Sequence, residues 1–432
     1  MERGLAAADA DVIDIIFIIR ITMVSVSTTK SRVLGAALVT AAMALPSLQF
    51  ACAEAPPERG IVSFKYLNYQ DSQGVVTQSG STANGVNTIS GASGIVTPGS
   101  SGGSQDRIGV NAYSVMALVP VAGEWSIGAT YTSDSVSGAS PTYHSSGLAK
   151  MTDLRRAIDV GLTKYFSRGS VSFGTSYSSE SDYISRGLNV QGSLSTEDKN
   201  TTLTLGGSYN DDSIHPLIQP TFDEKKQVAS GLIGVTRVLT PQDIVQLDFT
   251  YSNGNGYYSD PYKINDNRPR YRNSVTALAR WNHHFDDNGT DGTVHLSYRY
   301  YSDTFGIRAH TFDAEYVQPL YKGWTVTPLL RLYAQNEADF YVSVGAAEIK
   351  DPTQATPPPA GAVYYSEDQR MSAFGAMTFG LKVSKQINKD WLVDVKYEQY
   401  EQRAQWSLSG GGDPGLTPFK ARSIQVGVSM QI

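Results

Sequence analysis

The side chains best suited to chemistry in this sequence are acids and bases set at even spacings. Asp153, Arg155 and Asp159 share one parity, and Glu180 and Asp182 are again two apart. Alternate residues of an extended chain share a face, so each set points one way. Such a patch suits two kinds of work. Rings of charge set the ion selectivity of a pore, which makes these five residues lumen or constriction candidates. Equally, buried charges need partners, and the same residues would form a salt-bridge network holding a loop against a wall. A second constellation is weaker. His284 and His295 flank a short link that also holds Asp286 and Asp287. Two imidazoles facing each other across that hairpin, with a carboxylate, would be zinc-type donors. Their spacing fits no metal motif, however, and two polar residues beside a turn explain them as well. No metal is assigned.

Catalytic readings find no footing. A serine nucleophile needs a histidine and a third, orienting group, yet His144 and His215 fall in expected loops with no recognisable partner. The runs Gly102-Gly103 and Gly410-Gly411-Gly412 do not sit between a strand and a helix, so they are not phosphate cradles. The single cysteine is Cys52, which leaves no disulfide chemistry. The chain is not expected to be an enzyme, and no cofactor is implied.

The elements that must carry these charges are strands. Val245, Leu247, Phe249 and Tyr251 alternate with Gln246, Asp248 and Thr250. Val294, Leu296, Tyr298 and Tyr300 alternate with His295, Ser297 and Arg299, and Ile424, Val426, Val428 and Met430 with Gln425, Gly427 and Ser429. Helical spacing of apolar residues is almost absent, and 40 Gly and 25 Tyr in 432 residues fit strands with one oily and one wet face. Past residue 55 no run approaches the 18 apolar residues of a spanning helix. Short links near 120–123, 167–169, 196–200, 240–243, 286–292, 321–323 and 388–390 alternate with longer ones near 70–104, 133–152, 178–186, 210–224, 253–270, 302–306, 337–367 and 399–418. Tight turns at one end and long loops at the other are the mark of an up-and-down meander in a membrane. The sequence therefore predicts an all-β fold: a transmembrane antiparallel up-and-down β-barrel of about sixteen strands, with short periplasmic turns and long outer loops.

On that frame Trp125, Trp281, Trp324 and Trp391 fall beside short links, where an interface girdle of indoles would sit. Strand parity also sends Asp248, Arg272, Arg280, Arg299, Asp313, Glu315, Arg331, Lys382, Asp394 and Lys396 inward. Mixed signs there suit a water-filled or loop-plugged interior, with 70–104 and 337–367 the expected plugs. One feature at the end of the chain departs from the usual assembly signal: the last strand closes on Ile432 rather than an aromatic residue.

The N-terminal region reads as an export signal. Lys30 and Arg32 precede an apolar run from Val33 to Leu48, and Ala51-Cys52-Ala53 offers small residues for cleavage after Ala53. Met23 opens that signal in the usual way, whereas Asp9, Asp11 and Asp14 give residues 1–22 the wrong charge, so that stretch is expected to be an upstream artefact. The expected organisation is 1–22 artefact, 23–53 signal peptide and 54–432 barrel.

Two segments resemble a known family. They are Asp134-Ser135-Val136-Ser137-Gly138-Ala139-Ser140-Pro141 with Asp153-Leu154-Arg155, and Ser176-Tyr177-Ser178-Ser179-Glu180-Ser181-Asp182-Tyr183. With the signal and the strand rhythm, they resemble the bacterial family catalogued as domain of unknown function 3570. That resemblance implies an outer-membrane protein with no assigned activity. As partners it implies a periplasmic protein or small lipoprotein, loosely tied to extracytoplasmic redox work. A net charge of −6 without a basic, aromatic-laced patch argues against nucleic acid. The expected partners of the chain are therefore outer-membrane lipid, the barrel-assembly machinery and such a periplasmic or lipoprotein component. The expected function is a channel or transport-related barrel in the outer membrane of a Gram-negative bacterium. The alternative is a non-conducting barrel that serves as a scaffold.

Overall fold

The computed structural model describes residues 55–73, 105–139, 150–217, 221–261, 266–287, 290–343, 358–408, 410, 412–413 and 418–432. The expectations for residues 1–54, for the 74–104 part of one plug and for the 344–357 part of the other lie outside them. In chain order the strands are β1 (Ile61–Gln73), β2 (Gln105–Val121), β3 (Trp125–Ala139), β4 (Lys150–Phe166), β5 (Gly169–Ser179) and β6 (Tyr183–Ser195). Next come β7 (Thr201–Ile214), β8 (Glu224–Val238), β9 (Asp243–Gly256), β10 (Asp266–Asn267), β11 (Tyr271–Asp287) and β12 (Thr290–Asp303). The last are β13 (Arg308–Pro319), β14 (Trp324–Gln335), β15 (Tyr365–Ser366), β16 (Phe374–Gln386), β17 (Trp391–Arg403) and β18 (Phe419–Gln431). Among the described residues, single 3₁₀ turns interrupt the loops at Tyr321–Gly323, Gln369–Met371 and Ala404–Trp406.

Sixteen of these strands form one closed antiparallel barrel, each paired with the wall strands before and after it, and β1 with β18. The remaining two, β10 and β15, pair with each other in the loops. β1 closes the wall against β18, from Ile61 opposite Gln431 to Gln73 opposite Phe419. Gly60 and Ile432 extend that seam with reciprocal backbone bonds of 3.0 and 2.8 Å. Closure leaves no edge of the barrel wall unpaired, the condition for crossing lipid with strands.

The side chains sort by parity, as the alternation predicts. On β9, Leu247, Phe249 and Tyr251 are exposed, while Gln246, Asp248 and Thr250 are half-buried. On β4, Leu154, Ile158, Val160 and Leu162 are exposed, while Arg155, Ala157 and Thr163 are buried. The oily face is therefore the outer wall and the polar face the lumen, the inverse of a soluble protein.

Turns and loops differ in detail from expectation. Among the described residues, the connections at the short-turn end are tight, as predicted. Two of the outer links expected to be long are short: β5 and β6 are joined by Glu180–Asp182 alone, and β12 and β13 by residues 304–307. The β5–β6 turn closes through the Glu180 amide, which donates to the Tyr183 carbonyl at 2.8 Å, and the β12–β13 turn through its acid. Asp303 accepts hydrogen bonds from the Phe305 and Ile307 amides at 3.0 Å. At Gly256, φ is +135° and a Cβ would lie 2.2 Å from the Lys225 carbonyl oxygen, so only glycine fits where β9 leaves the wall.

Two apolar clusters stand out among the described residues. One is on the lumen side of the closing seam, where Leu67, Tyr69, Ala112, Ala376, Tyr400 and Ala421 cluster. The other is above the wall, where Phe305, Ile307, Ala338 and Met371 bring loops together.

Candidate functional site

The charged patch expected near the outer mouth forms from β3, β4 and the β5–β6 turn. Asp153, Arg155 and Asp159 face inward along β4. The register sets Asp134 of β3 opposite Arg155, and the guanidinium donates to Asp134 Oδ2 from Nε at 2.8 Å and from Nη2 at 2.5 Å. Asp134 is the member that sequence parity alone did not single out; its pairing depends on register. Glu180 and Asp182 are buried in the turn above. One carboxylate oxygen from each of Asp153, Glu180 and Asp182 lies within 4.8 Å of the others. Ser181 Oγ donates to Asp153 Oδ1 at 3.0 Å, which ties the turn to the strand. Burial pushes the Glu180 carboxyl well above the usual range; Arg155 opposes that shift, and Asp153, Asp134 and Asp182 add to it. Asp159 lies deeper and is aligned with Thr130 and Ser176 across the sheet. The structure therefore joins Asp153, Arg155, Glu180 and Asp182 in one cluster and leaves Asp159 on the wall below.

A neighbouring buried triad was not foreseen. Tyr183 Oη donates to Asp212 Oδ2 at 2.6 Å, and Lys226 Nζ reaches Tyr183 Oη at 2.8 Å and Asp212 Oδ2 at 3.1 Å. Its residues come from β6, β7 and β8, so only the folded register assembles it.

The other inward charges pair along the lumen of the opposite wall. Arg331 on β14 contacts Asp313 on β13, directly opposite in register. Arg272 binds Asp303 at 2.7 Å, and Arg280 donates to Gln246 at 3.3 Å. Asp248, Arg280, Arg299, Asp313 and Glu315 all stay half-buried, whereas Lys382, Asp394 and Lys396, beside the closing seam, are buried.

The histidine pair does not assemble as expected. Register places His284 opposite Thr293 and His295 opposite Asn282, so the rings are offset along the hairpin rather than facing. Each is satisfied locally, His284 Nδ1 by Thr293 Oγ1 at 3.1 Å and His295 Nδ1 by Asn282 Oδ1 at 2.8 Å. His283, on the outer face, meets Asp243 Oδ1 at 2.8 Å, and His284 Nε2 lies 3.6 Å from Asp291 Oδ1. Parity could not reveal the offset, because it fixes the face and not the partner.

The four tryptophans face outward at the short-turn end. Trp281, Trp324 and Trp391 are exposed, and Trp125 is half-buried. Lys164 lies 5.0 Å from the Trp125 ring and Lys385 5.1 Å from the Trp324 ring. Trp281 Nε1 donates to Asp243 Oδ1 at 2.9 Å. Each indole thus has an apolar body and a polar handle.

Over the other side of the outer mouth the loops interlock. Arg268, after β10, donates to Asp368 Oδ2 at 2.6 Å and Asp266 Oδ1 at 2.9 Å. Burial alone would lower the Arg268 pKa, and Asp266 and Asp368 outweigh it, raising it instead. Arg370 pairs with Asp368 and, at 3.4 Å, with Asp260. Asn267 Nδ2 donates to the Val363 carbonyl at 2.7 Å, and Asp413 accepts from Tyr341 and, at 3.0 Å, from Ser343. This cap rests on lumen-facing groups: Gln335 Nε2 donates to the Arg370 and Ser372 carbonyls at 3.0 and 2.7 Å, and the Arg272 guanidinium lies 4.7 Å from the Phe305 ring. The cap therefore bends inward over the mouth. Part of the expected 337–367 plug belongs to it.

Among solved structures, the chain is similar to a bacterial polysaccharide outer membrane secretin (7% identity, TM-score 0.45, covering 86% of this chain and 98% of that one). It is also similar to the siderophore receptor PirA from Pseudomonas aeruginosa (10% identity, TM-score 0.39, 81% of this chain and 57% of that one). A Pseudomonas aeruginosa FadL homologue is matched at 10% identity and TM-score 0.40, over 94% of this chain and 95% of that one. No curated protein matches the sequence. One family model matches residues 147–422, a stretch that holds the β4 charges, the β5–β6 turn and the whole cap. With more than half of the chain matched, this outer-membrane-type barrel belongs to the family described as protein of unknown function DUF3570.

Proposed function

We propose that this chain is a transport-related channel of the Gram-negative outer membrane, passing small polar or charged solutes. The observation that carries this reading is the half-buried lumen wall of β9, β11, β12 and β13, where Asp248, Arg280, Arg299, Asp313 and Glu315 mix both signs. Burying charge is costly in a dry core, whereas a wet lumen tolerates it and uses it for selectivity. Sixteen strands enclose an aqueous interior unless loops fill it. The interlocked cap narrows that interior from above, so the resting channel is expected to conduct weakly. Export proceeds by cleavage after Ala53, and insertion relies on the barrel-assembly machinery. The barrel performs no catalytic step and needs no cofactor.

Conductance of the purified, refolded chain in a planar bilayer tests this. The reading expects small discrete current steps. Asp368→Asn, which removes the acceptor shared by Arg268 and Arg370, should lengthen open times severalfold. Substitution of Arg155, Asp159 or Glu180 should shift ion selectivity. A folded chain that gives no current, with or without Asp368→Asn, would remove the channel reading. The interlocked cap would then favour the second reading, a closed barrel that serves as a scaffold for a periplasmic protein or small lipoprotein, to be sought by pull-down.

A further inference from the structure

We propose that Asp153, Glu180 and Asp182 form a divalent-cation site of the calcium type at the outer mouth, between β4 and the β5–β6 turn. The first ground is geometric. Calcium binds oxygens at about 2.3–2.6 Å, so two oxygens on one ion stand no more than about 5 Å apart. One oxygen from each of these three carboxylates already lies within 4.8 Å of the other two.

The second ground is Glu180 itself. It is 8% exposed, and neither of its carboxylate oxygens has a hydrogen-bond partner among the described residues. A buried polar group left without a partner is costly, and a cation at the shared point would satisfy it. Charge balance points the same way. The guanidinium that faces Glu180, Arg155, is already engaged by Asp134, while Asp153, Asp134 and Asp182 add negative charge around Glu180. The donors are all oxygens, without nitrogen or sulfur, which suits a hard cation. Three carboxylates drawn from a strand and a turn suit the adaptable shell of calcium better than the near-ideal octahedron magnesium demands.

The test is equilibrium binding of radioactive calcium to the full chain folded in lipid vesicles, with thermal unfolding followed in parallel. The expected result is one saturable calcium per chain, with a dissociation constant on the order of 10⁻⁴–10⁻³ M. Glu180→Gln and Asp182→Asn should each weaken binding at least tenfold, while Glu401→Gln, at the far seam, should not. In chelator, Glu180→Gln should melt higher than the parent, because it removes a buried carboxyl crowded by Asp153 and Asp182; saturating calcium should reverse that order. Absence of saturable binding to the folded parent chain would overturn the proposal and leave a plain ion-pair network around Arg155. Full retention of binding in both Glu180→Gln and Asp182→Asn would overturn it too. Should Glu180→Gln fail to fold, Asp153→Asn with Asp182→Asn supplies the same comparison.

Discussion

Asp134 and Arg155 illustrate what single residues do in this lumen. Both side chains are largely buried, and two guanidinium nitrogens share one carboxylate oxygen. Removing one partner of a buried pair strands the other charge, at a cost of about 3–5 kcal/mol. Asp134→Ala should therefore lower stability to urea in lipid vesicles by about 3 kcal/mol, and replacing both residues with apolar ones should recover most of that loss. The exposed pair of Lys164 and Glu124 in the β2–β3 turn region offers the contrast. Surface pairs contribute little, so Glu124→Ala should leave the unfolding curve within error. At Gly256 the backbone decides. Gly256→Ala should destabilise by more than 1 kcal/mol, because φ is +135° and the Lys225 carbonyl blocks a side chain.

At the scale of elements, each strand presents two unlike surfaces. Phe249 faces outward in mid-strand, and Asp248 faces the lumen. Phe249→Arg should cost about 2–4 kcal/mol if it sits near the bilayer midplane, or abolish heat-modifiable folded barrel on a gel, while Asp248→Asn should fold normally. This division was legible in the sequence. A strand has a period of two, so parity sorted Asp153, Arg155, Asp159 and the β9 residues correctly from spacing alone. Strand number and the short-turn end were readable for the same reason. Register was not: nothing in the spacing says that Asp134 meets Arg155, or that His284 meets Thr293 and leaves His295 to Asn282. The short β5–β6 and β12–β13 turns were masked by polar, turn-like residues on both sides, where a strand end and a loop look alike. The cap was legible only as length, since Arg268 and Asp368 are a hundred residues apart and meet only after the barrel closes.

For the whole molecule, the proposed channel needs a membrane-spanning barrel with a lumen that holds water along the β9–β13 wall. Cysteine accessibility tests this most directly, because Cys52 is the only native thiol. Single cysteines at Leu247, Asp248, Phe249 and Thr250 of β9 would be challenged, in lipid vesicles, with a charged water-soluble thiol reagent. The account predicts modification at 248 and 250 and protection at 247 and 249. Protection at all four positions would mean a dry lumen, and reaction at 247 and 249 would mean that the apolar face is not in lipid; either result would contradict it.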